Sequence, residues 1–233
     1  MFDKISVVVC TYNRDKFIFD ALDSLSKQDL SKDQYEVLVI NNNCSDNTEN
    51  IVNKFIKDNP TLDIQQIQET NQGLSFARNR GIDETKYDLV TFIDDDGIAQ
   101  EDFLTEILAY YKANPNTVGI GGRVLPIYEN EEPEWLNPFL RMMVTLFDFG
   151  DQGFKCKGKK YPAGCNMTYT KKLLKESGGF NTALKWRTDD KYIFQEVSKI
   201  NDQIFYAPKV KVGHHIDASR TTDENFDKLS YLL

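Results

Sequence analysis

Several things are scarce in this chain of 233 residues. It has four cysteines, Cys10, Cys44, Cys156 and Cys165, and no two stand in a Cys-x-x-Cys pair, which argues against a structural zinc site. No run approaches the eighteen apolar residues of a membrane span. A strand-like run already under way at Ile5 leaves no room for a signal peptide, so a cytoplasmic location is expected. Positive charge is in deficit, with 28 Lys and Arg against 36 Asp and Glu and a net charge of -8. A nucleic-acid partner, which needs a basic footprint, is therefore not expected, although a local site on an acidic protein can still bind an anion. With 40% hydrophobic and 27% charged residues, the composition is that of a globular protein long enough to bury a sizeable core.

The first half alternates strand and helix patterns. Ile5 to Cys10 and Val37 to Ile40 are short apolar, mostly β-branched runs, as expected of strands buried on both faces. Between them Ile18, Leu22 and Leu25 recur at helical spacing within Phe17 to Gln28. Asp46 stands three residues before Glu49, a capping-box-like start for a helix with an apolar stripe at Ile51, Val52, Phe55 and Ile56. A weaker strand follows around Ile64 and Ile67, then a short helix from Leu74 to Ile82, a fourth strand from Leu89 to Ile93, and a helix marked by Leu104, Ile107, Leu108 and Tyr111. This rhythm predicts a doubly wound α/β fold, a Rossmann-like and mostly parallel central sheet flanked by helices, with ligands at the carboxyl ends of the strands.

After Val118 the rhythm changes. Pro126 to Tyr161 carries prolines, an acidic knot (Glu129, Glu131, Glu132, Glu134), Trp135 and a lysine-rich stretch; irregular segments of this length often form lids or binding loops. Phe139, Leu140, Met143, Val144 and Phe147 repeat at helical spacing. Core packing is the favoured reading of them, with peripheral contact to the inner face of a membrane as the alternative. Helical patterns return at Lys171 to Glu176 and Asp190 to Ile200, before a strand at Ile204 to Ala207.

Polar clusters follow the strand-like segments: Thr11-Tyr12-Asn13-Arg14, Asn41 to Asp46, Asn71-Gln72-Gly73 with Arg78 beyond, and Asp94-Asp95-Asp96. A parallel sheet would converge them on one edge. That edge would offer amides and hydroxyls for a base or ribose, arginines for phosphates and carboxylates for a metal. Mg2+ and Mn2+ take oxygen ligands, typically one or two carboxylates plus phosphates and water. Asp94 and Asp96, two apart, could share one ligand while Asp95 points elsewhere. The competing reading is an acidic cap for the helix beginning near Glu101.

"SVVVCTYNR", "VINNNCSDNT", "NQGLSFARNRGI", "FIDDDG", "AGCNMTY", "GGF" and "VGHHIDASR" occur in an order that resembles family 2 glycosyltransferases of the GT-A, or nucleotide-diphospho-sugar transferase, fold. The resemblance covers Ile5 to Arg220. It implies a single domain over residues 1–233: a nucleotide-sugar half (1–117), an acceptor-binding and catalytic half (118–220) and a helical tail (221–233). It implies that Thr11, Tyr12, Arg14, Asn41, Asn43, Arg78 and Asp95 belong to a nucleotide-sugar pocket, with Asp94 on its ribose or sugar side. Asp96 and His214, which matches the family histidine better than His215, would hold Mn2+ or Mg2+. Of the acidic pair Asp189-Asp190, Asp190 would be the catalytic base and Asp189 a helix cap near the acceptor, with Trp135 and Trp186 as sugar-stacking candidates.

The implied reaction is inverting transfer of a sugar from a nucleotide-sugar donor, a UDP-sugar by expectation, to a hydroxyl of a saccharide or lipid-linked acceptor. Many relatives carry aspartate where Asn41 stands, which leaves the base preference open. Three other readings compete. A sugar-nucleotide pyrophosphorylase would carry a glycine-rich loop after the first strand, which "CTYNRDKF" lacks. A catalytically silent nucleotide-sugar-binding protein would not need Asp96, Asp190 and His214 together. A phospho-acceptor domain would need acids after the first strand, where Thr11, Tyr12 and Asn13 stand.

Overall fold

Strands form where apolar and β-branched residues run together, and burial on both faces shows in the packing of alternate residues. The computed structural model describes residues 2–137, 140, 141, 144, 147–184, 188–222 and 224–226. In it β1 (Ile5–Thr11) sends Ile5, Val7 and Val9 to one face of the sheet and Val8 to the other. β2 (Tyr35–Asn41) does the same, Val37 and Val39 opposite Leu38 and Ile40. The first face is covered by α1 (Ile18–Ser26), α2 (Thr48–Asp58) and α4 (Phe103–Ala113) through Leu22, Val52, Phe55 and Ile107. The second carries α3 (Leu74–Glu84), α5 (Lys171–Glu176) and α6 (Asp189–Ile200) through Ala77, Ile82, Leu174 and Ile193.

Among the described residues one sheet holds nine strands in the order β3-β2-β1-β4-β8-β6-β9-β5, with β7 added beside β9. β3 (Ile64–Gln68), β2, β1 and β4 (Leu89–Asp94) run parallel, as the strand–helix alternation predicts. Beyond them the sheet is mixed. β8 (Met167–Thr170) pairs antiparallel with β4 and with β6 (Gly119–Tyr128). β6 runs parallel to β9 (Ile204–Ile216). The short β5 (Gly97–Ala99) and β7 (Phe154–Lys155) oppose β9.

Four local features depart from the sequence pattern. The strand at Ile204 extends over 13 residues, hidden in the sequence because lysines and Pro208 interrupt its alternation. β6 opens on Gly119-Ile120-Gly121-Gly122, a weak β former that pairs with strands on both sides. Asp46 lies just outside α2: its carboxylate accepts from the Thr48 amide (3.0 Å) and the Asp15 amide (3.1 Å), tying the helix start to the turn after β1. The helix after the triple aspartate starts at Phe103, with β5 in between. The triplet is therefore no helix cap.

In the 126–161 segment Phe147 bridges to Val124 and packs with Ala163 and Cys165. Leu136, Val144 and Phe226 form a separate buried cluster with Leu140 against it. These contacts are packing, as the helical spacing suggested; Phe139 and Met143 lie outside the described residues. Among the described residues no helix is long and apolar enough to cross a membrane.

α3 lies close on β1 because Gly81 has no side chain: a Cβ there would stand 2.4 Å from Val8 Cγ1. Gly81→Ala should destabilise the fold by about 1–3 kcal/mol, the cost of overpacking. Urea denaturation should show a lower midpoint at unchanged m-value; an unchanged midpoint would contradict the packing.

Candidate active site

Strand register brings the polar clusters together. Thr11 lies beside Asn41 and Cys10 beside Asp94, so three parallel strands end at one place. β9 crosses the same edge, with His214 opposite Gly97. The result is a cleft of about 540 Å3, lined by Thr11, Tyr12 and Arg14 from the β1 turn, Asn42, Gln72 to Leu74, all three aspartates, His214 and Arg220. Its size is that of a small-molecule site.

The aspartates divide among different partners. Asp94 meets Arg78 Nη2 at 3.2 Å and His214 Nε2 at 3.8 Å. Asp95 lies 3.6 Å from Arg14 Nε, so it shares the cleft rather than pointing away from it. Asp96 lies 3.0 Å from His214 Nε2, 3.8 Å from Arg14 and 3.9 Å from Arg220. Burial favours a neutral Asp94, but the His214 hydrogen bond and the Arg78 charge outweigh it and hold its carboxyl down at about 2. Burial and repulsion from Asp96 push Asp95 up to about 7.

His214 has the geometry of a cation ligand. Its Nδ1 lies 3.1 Å from the His215 carbonyl oxygen, which can only accept, so Nδ1 carries hydrogen and Nε2 faces the two carboxylates. A lone pair aimed at two acids needs a proton or a metal between them. Without metal the proton fills that role: burial pushes His214 down, but hydrogen bonds to Asp94 and Asp96 prevail and raise it to about 9. Asp94, Cys165 and His214 place one ligand atom each within 4.8 Å of one another, and Asp96 adjoins His214. The donor set therefore fits a divalent cation. His215, one residue on, turns to the opposite side of β9, where its ring meets Phe17 at 5.4 Å.

Arg78 is buried, 3% exposed, and does not line the cleft. It pairs with Asp94 on one side and Asp189 on the other, and donates to the Gly164 carbonyl at 3.2 Å. Gly164 in turn donates its amide to Asp190 Oδ2 at 3.2 Å. A Cβ at Gly164 would come within 2.8 Å of Arg78 Nη2, so a side chain there would displace the buried guanidinium. Asp190 thus sits one loop from the cleft, its carboxyl raised by burial and by Asp189, with Arg78 opposing. Thr188, just before the pair, has φ of 114°, a strained conformation for a β-branched residue of the kind found at functional sites.

Two amides chosen from sequence do not reach the cleft. Asn41 Oδ1 accepts from the Cys44 amide at 2.9 Å, and Asn43, with φ of 64°, donates to the Thr70 carbonyl at 2.8 Å. Asn42 lines it instead and organises the next turn, its Oδ1 accepting from Gly73 at 2.7 Å. Trp135 packs edge-on against Phe226, away from the cleft, with ring centroids 5.2 Å apart; Trp186 lies outside the described residues. Arg220 and Cys165 were absent from the candidates, although both stand within the quoted motifs. Among the described residues, Thr11 Oγ1 and Arg220 Nη1 are buried with no hydrogen-bond partner, as expected of groups that await a ligand.

Arg78→Met would leave Asp94 and Asp189 uncompensated. It should cost about 3 kcal/mol, the low end for breaking a buried pair because Asp94 is partly open; a thermal melt equal to the parent would contradict the linkage. A group whose pKa is raised on folding stabilises most below its unfolded value, and that stabilisation is lost as pH climbs through the folded one. In chelator, the melting temperature should therefore fall between pH 6.5 and about 9, and His214→Gln should flatten that segment. An equal slope in both proteins would refute the assignment.

Comparison with known proteins agrees with this geometry. Residues 6–178 match the model of Glycosyl transferase family 2. The chain is 25% identical to poly(ribitol-phosphate) beta-N-acetylglucosaminyltransferase TarS of Staphylococcus aureus over 99% of its own length, yet spans about 40% of that relative. TarS 1–349 in complex with UDP superposes with a TM-score of 0.69 at 21% identity, covering 98% of this chain and 64% of that one. The mannosyltransferase PcManGT from Pyrobaculum calidifontis, in complex with GDP-Man and Mn2+, gives a TM-score of 0.71 at 21% identity over 91% of this chain and 56% of its own. The fold is GT-A. With three-quarters of its length matched by the family model, the chain belongs to glycosyl transferase family 2.

Proposed function

We propose that this domain transfers a sugar from a nucleotide-sugar donor, preferably a UDP-sugar, to a hydroxyl of a saccharide or lipid-linked saccharide, with inversion and with a divalent cation. The observation that carries the proposal is the cleft where Asp94, Asp96 and His214 face Arg14 and Arg220. Anionic and cationic groups stand there at distances that leave room for a metal and a diphosphate. Family membership and a relative solved with UDP support the same reading; a relative with GDP-Man keeps the base a matter for experiment.

Thr11 Oγ1, a donor and acceptor without a partner among the described residues, suits the base or ribose, and the half-exposed Tyr12 ring offers a stacking face. Arg14 and Arg220 suit the diphosphate; Asp94 suits the ribose or sugar hydroxyls and, through the oxygen that faces His214, the divalent cation. Asp96 and His214 would hold Mn2+ or Mg2+, which would supply positive charge against the negative charge developing on the leaving diphosphate. Asp190 is the base: its raised carboxyl takes the acceptor proton more readily than an ordinary aspartate while the acceptor oxygen attacks the anomeric carbon and the carbon–phosphate-oxygen bond breaks. Asp189 positions it through Arg78 and Gly164. The name of TarS specifies poly(ribitol-phosphate) as its acceptor, so the acceptor class proposed here includes polyol phosphates.

Asp190→Asn should bind UDP with Mn2+ as the parent does while losing essentially all transfer; full transfer by that variant would remove Asp190 from the role. Asp96→Ala should weaken UDP binding in Mn2+ but change it little in chelator. Calorimetry showing no metal dependence in the parent would remove the metal from the proposal.

A further inference from the structure

We propose that Cys165 is a ligand of the divalent cation in this cleft and biases the site toward thiophilic metals; the inference rests on the metal reading above. Its sulfur, an Asp94 carboxylate oxygen and a His214 ring nitrogen lie mutually within 4.8 Å. Ligand atoms held about 2.0–2.3 Å from one ion stand roughly 3–4 Å apart, so small side-chain movements bring all three onto a common centre. Cys165 is 4% exposed, and its thiol has no hydrogen-bond partner among the described residues.

The loop that presents the sulfur is pinned on either side. Gly164 accepts from Arg78 and donates to Asp190. The Asn166 amide donates to the carbonyls of Arg123 at 3.0 Å and Val210 at 3.1 Å. Cys165 also joins Val124 and Ala163 in a small apolar cluster with Phe147 against it. The thiol is therefore positioned by contacts that do not depend on a metal, as a pre-organised ligand requires.

A sulfur among these donors changes the metal preference. Mg2+ binds oxygen almost alone, whereas Co2+, Zn2+ and Cd2+ accept thiolate and imidazole together. On binding, the S–H bond breaks, the proton passes to solvent, and the sulfur lone pair forms the metal bond. No electron transfer and no co-reactant are needed. The Asp–His pair by itself would tolerate Mg2+; the Asp–His–Cys set should rank Co2+ and Zn2+ well above it.

The test is a Co2+ titration of the whole chain, with and without UDP, followed by absorbance and calorimetry. The parent should develop a near-ultraviolet thiolate-to-cobalt charge-transfer band as the ion binds. C165S should lose the band and bind Co2+ at least ~10-fold more weakly, since even outer-shell partners of a metal site cost that much, while its Mg2+ affinity stays near the parent's. Because substitution at a buried position can harm folding, a C10S/C44S/C156S variant provides a second route: it keeps Cys165 and should keep the band. Co2+ binding without a band, or a band that survives C165S, would overturn ligation by Cys165 and leave the metal site standing. Absence of Co2+ binding in both nucleotide conditions would overturn the inference and the metal reading together.

Discussion

The buried Arg78 guanidinium is the contact on which the site depends. It reaches Asp94 at the end of β4, Asp189 at the start of α6 and the Gly164 carbonyl between them. These three segments are distant in sequence and belong to different halves of the chain. Burying an arginine is costly unless its charge is met, and here two carboxylates meet it and a carbonyl takes a further hydrogen. The same interaction that neutralises Arg78 fixes where α6 begins, and so where Asp190 stands relative to the cleft. The face of α3 that carries Arg78 can approach because Gly81 lets the helix lie on Val8.

Three consecutive aspartates at the end of an apolar strand would be untenable without compensation. Among the described residues their charge is met by four cationic groups from four places: Arg14 after β1, Arg78 on α3, His214 on β9 and Arg220 beyond it. The compensation is uneven. Arg78 makes a hydrogen-bonded pair, whereas Arg14 and Arg220 stand at 3.6–3.9 Å, beyond hydrogen-bonding distance, and retain capacity for an incoming anion. This division separates one arginine tied into the fold from two that stay available, although all three are the same residue type. It also pushes Asp95 up and holds Asp94 down, two adjacent carboxyls shifted in opposite directions.

Much of this was legible beforehand where local pattern decides structure. The parallel strands and their helices follow from β-branched runs and helical spacing, and the polar clusters follow from where those runs stop. What escaped reading lay where tertiary pairing overrides local preference. The glycines of β6 and the lysines of β9 give little strand signal, yet each strand is held by partners on both sides. Asn41, Asn42 and Asn43 are indistinguishable as letters. Only the turn geometry, with Asn43 at positive φ and Asn42 bonded to Gly73, determines that the middle one faces the cleft.

The sequence by itself determined the chemistry available: carboxylates, arginines and a histidine at strand ends, in an order that identifies the family, because residue identity and local periodicity are written directly in it. Which groups meet was decided by tertiary structure. The antiparallel insertion of β8 between β4 and β6 carries the Ala163–Asn166 loop to Asp94, and β9 brings His214 opposite Gly97. Ion pairing and ligand geometry depend on distances of a few ångströms between segments 70 to 120 residues apart, and no local pattern encodes those distances.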